Sequence, residues 1–323
     1  MARPTSSPDG NLGNLAAASG ADWPRAARVA KGDAILAALL AEPFRILTPR
    51  VQTIPFVFAS GHSGRRYPES LLAESRLDAL TLRRSEDAFV DELFEGVTGL
   101  GAPLITAEFP RCYCDVNRAT GELDSAMFDV LPSLAIDPPS PRVAAGLGVI
   151  PRIVRDGAEI YCRKLSSQDA ELRLLGLYRP YHAALAGLVR ETVTRFGIAV
   201  VMDCHSMPSA LAVPDIVLGD RYGASAPLLL TGWAENAFVS ARFSVARNAP
   251  YAGGYTTMLY GRGGEGLFGL QIEISRALYL DEERVTRRSG FAILKRRLTE
   301  TLARLTAIDP ALLGGKAFPM AAE

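Results

Sequence analysis

Five short apolar runs, separated by longer stretches of helical character, constrain this chain more than any other feature. They fall at residues 54–60, 103–109, 198–203, 215–219 and 267–274. Each is short and bounded by turn-forming residues, and several are rich in β-branched side chains, which marks buried strands. Helices are expected at 85–97, 167–195, 223–238 and 281–307, and again from Arg25 to Leu40. Strands separated by helices predict an α/β fold with helices on both faces of the sheet. At 323 residues and 48% hydrophobic content the chain can fill a large core, and one domain over 23–323 is preferred to two. Residues 1–22, rich in Ser, Gly, Ala and Asn, read as a disordered leader. Residues 132–151 hold five prolines and read as a surface excursion, a candidate cover for a site.

Charge narrows the function. Lys plus Arg and Asp plus Glu both total 35, so the balance of zero argues against nucleic acid and anionic membranes as partners. The apolar stretch 35–44 is too short to span a bilayer. With no basic start before an apolar core at the N-terminus, the expected location is the cytoplasm. Cys112, Cys114, Cys162 and Cys204 read as reduced thiols, and the one-residue gap between Cys112 and Cys114 does not suit a zinc knuckle.

The chain has only three histidines. His62 follows the run ending Phe58-Ala59-Ser60, and His205 follows Val200-Val201-Met202-Asp203. Ligands gather at the carboxyl ends of strands in open α/β sheets. Two imidazoles delivered there from distant segments make half of a metal site, which needs a third ligand and a position for water. Asp87 and Asp91 are four apart on the expected helix after Ser85, where helix capping competes as an explanation. Asp203 competes as a ligand or as a carboxylate holding an imidazole from behind. His182, at an expected helix start, suits a supporting role.

Glu273, between two isoleucines of an apolar run, is costly to bury unless paired or functional. It suits the proton-transferring carboxylate of a water-activating site, with pairing to Arg276 as the alternative. Asn117 and Arg118, ending another run, suit capture of a substrate carboxylate, with Arg65 as a further cation. Two rivals remain at this point. Ser63 with His205 would make a serine hydrolase, although Arg65 spoils the G-x-S-x-G elbow. A non-catalytic amino-acid-binding protein would account for the arginines but not for Glu273.

Seven stretches, taken in order, resemble the N-formylglutamate amidohydrolase (deformylase) family. They are His62-Ser-Gly-Arg-Arg-Tyr-Pro68, Asp87-Ala-Phe-Val-Asp-Glu-Leu-Phe94, Asp115-Val-Asn-Arg118, Pro180-Tyr-His182, Asp203-Cys-His-Ser206, Asn248-Ala-Pro-Tyr-Ala-Gly-Gly254 and Gln271-Ile-Glu-Ile-Ser-Arg276. The resemblance covers about residues 50–283. It implies a mixed, mostly parallel sheet flanked by helices, zinc-carboxypeptidase-like (phosphorylase/hydrolase-like). It also implies one Zn2+, with Co2+ or Mn2+ as alternatives, and hydrolysis of an N-formyl or other N-acyl acidic amino acid. By that similarity His62 and His205 are ligands, Glu273 activates water, and Asn117-Arg118 holds a carboxylate. The carboxypeptidase glutamate ligand three residues after the first histidine is replaced here by Arg65, so Asp87 is chosen as third ligand over Asp91. His182, Asp203, Ser206 and Arg276 are left as supporting candidates. A monomer or small homo-oligomer acting in histidine catabolism is the corresponding expectation.

Overall fold

The computed structural model describes residues 32–138, 140–154, 157–209 and 214–315. The leader expected at 1–22, and the start of the helix expected from Arg25, lie outside the described residues. One seven-stranded sheet organises the molecule, in the order β1-β3-β2-β4-β7-β5-β6. The strands are β1 (Phe44–Leu47), β2 (Phe56–Ser60), β3 (Leu104–Ala107), β4 (Ala199–Met207), β5 (Ile216–Gly219), β6 (Val245–Arg247) and β7 (Leu267–Ser275). The central four, β3-β2-β4-β7, run parallel. β1 is antiparallel to β3 and β5 to β7, while β6 runs parallel to β5. The sheet is therefore mixed and mostly parallel.

The central strands are buried along their whole length, so β2, β3 and the first halves of β4 and β7 are largely apolar, and polar side chains enter mainly on one face toward the ends of β4 and β7. The helices that position the site are α1 (Ala34–Ala41), α2 (Val90–Phe94), α3 (Arg179–Phe196), α4 (Leu228–Ser240) and α5 (Phe291–Thr306). One sheet face, with Val57, Ala59, Ala199 and Val201, packs in the same core as Leu185 and Val189 of α3. The other, with Phe56, Phe58, Met202, Ile272 and Ile274, packs with Leu230 and Phe238 of α4 and with Leu298 and Leu302 of α5. Among the described residues no helix is long and apolar enough to cross a membrane.

Three expected helices are corrected. Residues 85–97 are broken at Phe89, whose φ of 63° is left-handed, so α2 begins only at Val90. Asp87 therefore precedes the helix and shares no helical face with Asp91. Ser85 caps nothing there, because its hydroxyl donates to the Leu82 carbonyl at 2.8 Å. The stretch 167–195 is interrupted by a π-helical turn at Leu174–Tyr178. The last helix starts at Phe291, because Leu280–Asp281 and Thr286–Arg287 pair as a small ribbon.

Candidate metal and hydrolytic site

Two residues beyond β2 the chain turns sharply at His62. The turn needs glycine at 64, where an added Cβ would lie 2.0 Å from the Phe109 carbonyl oxygen. The His62 ring is buried, and its Nε2 stands 2.7 Å from Asp115 Oδ1. That carboxylate also accepts from the Asn117 backbone N–H at 2.8 Å and from Arg111 at 2.8 Å. Burial works to raise the Asp115 carboxyl, but the His62 ring and the guanidinium charges of Arg111 and Arg118 hold it well below the usual range. With Nε2 engaged as donor, Nδ1 keeps its lone pair. It is buried, makes no hydrogen bond among the described residues, and faces Asp87 Oδ2 at 3.4 Å.

His205, near the end of β4, repeats the arrangement. Its Nε2 lies 2.9 Å from Asp203 Oδ1, two residues earlier on the same strand face. Its Nδ1 lies 2.9 Å from the same Asp87 Oδ2, and the two imidazole centroids are 4.6 Å apart. Burial lowers the His205 pKa, yet Asp203 and Asp87 outweigh it and carry it well above the ordinary value. The other Asp87 oxygen accepts from Ser206 at 3.1 Å and from Arg276 at 3.0 Å. Arg276 is itself anchored, donating to Ser206 Oγ and to the carbonyls of Glu86 and Arg84. Against the cost of full burial, His205 and His62 keep Asp87 strongly acidic.

Ligand atoms of His62, Asp87 and His205 all lie within 4.8 Å of one another. Two inward nitrogens and one carboxylate oxygen, each backed by a carboxylate or a guanidinium, form the donor set of a catalytic metal site. The unpartnered His62 Nδ1 is the decisive atom. A buried acceptor without a partner is destabilising unless something absent from the chain satisfies it. The residues fit a divalent cation.

Beside this triple lies Glu273. The parallel β4–β7 ladder pairs His205 with Glu273 and Asp203 with Gln271, so all four side chains share one face. Ile272 and Ile274 point to the opposite face and pack in the α4–α5 core, which explains an acid between two isoleucines. Gln271 Nε2 donates to Glu273 Oε1 at 2.9 Å. Burial pushes Glu273 up to about 8; Asp87 adds to this and His205 opposes it. These groups line a cavity of about 530 Å³, together with Arg84, Arg111, Arg118 and Tyr251. That volume suits a small ligand.

The sequence pattern of N-formylglutamate amidohydrolases matches residues 54–280. The chain belongs to this family. A solved N-formylglutamate amidohydrolase from Ralstonia eutropha is 36% identical, covering 81% of this chain and 96% of that one, with a TM-score of 0.76. N-formylglutamate deformylases from Pseudomonas aeruginosa and Pseudomonas putida are each 25% identical. They cover 71% and 80% of this chain, and the matches span 84% and 96% of those proteins.

Other residues singled out in this member of the family are placed differently from expectation. Arg65 does not line the cavity; it pairs with Asp91 and Glu92 and lies over the Phe89 ring. Asp91 is engaged with Arg65, and its backbone N–H donates to Ser63 Oγ, so it belongs to that ion-pair cluster rather than to the metal triple. Ser63 bonds to Ser60 and Asp91, whereas both His205 nitrogens face acids. The serine–histidine pairing is not assembled.

Asn117 lines the cavity but braces it: its oxygen accepts from Thr256 N–H at 2.8 Å and its amide donates to Asp203 at 3.3 Å. Glycine at 254 permits this, since a Cβ there would sit 2.4 Å from the Asn117 amide. Arg276 holds Asp87 and makes no bond to Glu273. His182 is fully buried outside the cavity, donating through Nε2 to the Val116 carbonyl at 2.8 Å. It thereby supports the loop that carries Asp115, Asn117 and Arg118. Asp115 and Arg111 were missed as site residues. Their signal was the acid–base pair i, i+4 at a strand end.

Proposed function

We propose that this chain hydrolyses the amide of an N-formyl acidic amino acid, N-formylglutamate-like, using one divalent metal held by His62, Asp87 and His205. The observation that carries the reading is the convergence of two imidazole Nδ1 atoms on one Asp87 oxygen, beside a buried glutamate. Membership of the family and the names of its relatives supply the substrate class. Zinc suits the nitrogen-and-carboxylate donor set, and Co2+ or Mn2+ can occupy similar ligands.

Bound at this place, a divalent metal supplies Lewis acidity and makes water a nucleophile near neutral pH. Glu273 accepts a proton from the attacking water and delivers it to the leaving amine nitrogen, giving formate and the free amino acid. Burial favours the protonated form of that carboxyl, so the proton it takes from water is held until the amine departs. Gln271 holds its Oε1 in place. Arg118, fixed by the Leu147 and Asn117 carbonyls, presents its remaining nitrogen as anchor for the substrate α-carboxylate. Asp115 and Asp203 hold the imidazoles in the tautomer that turns Nδ1 inward. The expected setting is a cytoplasmic enzyme acting on a small molecule.

The test is direct. The purified protein should cleave N-formylglutamate, lose activity to a chelator and regain it with zinc, whereas a serine enzyme would keep working. Glu273→Gln should bind one metal and keep its fold while losing about 10²- to 10⁴-fold in kcat. Near-normal turnover in that variant would remove Glu273 as the proton carrier.

A further inference from the structure

The proposed substrate carries two carboxylates, and the cavity offers more guanidinium groups than one of them needs. Arg276 and Arg111 are committed to Asp87 and Asp115. Arg84 lies on the Asp87 side of the cavity, where its carbonyl accepts from Arg276 Nη1. Arg118 is pinned through Nε to the Leu147 carbonyl at 2.8 Å and through Nη1 to the Asn117 carbonyl at 2.7 Å.

Arg142 differs from all of these. It lines the cavity from the proline-rich excursion, on the short helix Pro141–Ala144. Among the described residues its exposed side chain has no acidic partner and makes no hydrogen bond. The backbone beneath it is nonetheless fixed. Ser140 Oγ accepts from the Val143 N–H at 3.2 Å, and the Arg142 carbonyl accepts from the Leu147 N–H at 2.9 Å. Leu147 is also the residue whose carbonyl pins Arg118, so one turn sets both cations at the same end of the cavity. Burial lowers the Arg118 guanidinium from its ordinary value, and the positive charges of Arg111 and Arg142 add to that against the opposing charges of Asp115 and of Glu122, whose carboxylate lies 3.9 Å from Arg118 Nε. An under-neutralised pair of forks at one cavity end is suited to a ligand with two anionic groups.

We propose that Arg142 is a specificity residue that binds the side-chain carboxylate of the substrate, while Arg118 holds the α-carboxylate. This rests on the hydrolytic reading above and adds to it which residue selects an acidic amino acid. The excursion then does more than cover the cavity, because it contributes the cation that distinguishes glutamate from its neutral isostere.

The experiment compares N-formylglutamate with N-formylglutamine, which has nearly the same shape without the side-chain charge, on the metal-loaded enzyme. Wild type should favour the glutamate compound through KM. Arg142→Gln should raise KM for N-formylglutamate about 10-fold and for the glutamine compound no more than about twofold, collapsing the preference. Arg142→Lys should restore part of it, since it keeps the charge and loses the fork. Equal effects on both substrates, or a wild type without preference, would overturn the role of Arg142 and leave the hydrolytic reading standing. A wild type that cleaves neither compound would bring down both.

Discussion

His205 and His182 are both fully buried, yet their surroundings drive them in opposite directions. His205 meets a carboxylate at each ring nitrogen and is carried well above its ordinary pKa. His182 meets the Val116 carbonyl and the Tyr260 hydroxyl, packs at a tilt against the Tyr178 ring, and burial pulls it down from 6.5 to about 4. Depth alone therefore does not decide what a histidine does. The acids facing it do, and here they separate a ring poised to exchange a proton for a cation from one that holds a loop in place while neutral.

The largest way to break that contrast is to remove a ring. His205→Ala or His62→Ala should reduce bound metal from one per chain to nearly none and abolish hydrolysis, as read by elemental analysis. His182→Gln, which keeps a donor for the Val116 carbonyl, should retain the metal. Equal metal loss in all three would erase the distinction.

A smaller effect is expected when the ring stays and its acid is neutralised. Asp203→Asn leaves shape intact but weakens control of the His205 tautomer, so metal affinity should fall about 10- to 100-fold. Competition with a coloured chelator would measure it, and an unchanged affinity would show that Asp203 does not orient the ring.

The smallest effect concerns stability. A histidine whose folded pKa is depressed contributes stability that is complete above 6.5 and lost as pH falls toward the folded value. For His182 the interval from 6.5 to about 4 corresponds to about 3 kcal/mol at about 1.4 kcal/mol per pH unit. Urea midpoints measured from pH 7 to 4 should fall more steeply for wild type than for His182→Gln. Parallel curves would mean that His182 gains its proton without cost.

The legible parts of the fold were those where physics acts locally. Strands buried on both faces are rich in apolar residues, so β2, β3, β4, β5 and β7 could be read within a few residues of their ends. β1 and β6 escaped because, short and only half-buried at the sheet edges, they carry no such run. The helix expected over 85–97 failed at one left-handed residue, Phe89, which no hydrophobic period reveals.

The site divides in the same way. Asp203 and His205 sit two apart on a strand, so their shared face followed from the pleat. Asp115 finds His62 from 53 residues away, a pairing only the folded chain can make. Arg65 was misplaced because nearness in sequence to His62 was taken for nearness in space. The turn through Gly64 instead sends its side chain toward Asp91 and Glu92.

The rung that joins His205 to Glu273 has a consequence for how such an enzyme can change. Neighbouring strands in a sheet are held roughly 4.8 Å apart by their own backbone bonding, so the distance between the cation's ring and the proton carrier is inherited from the lattice of the sheet. Loops around the mouth can be rewritten to admit other acyl amino acids while that working distance stays put. Selectivity is thus free to drift where chemistry is not.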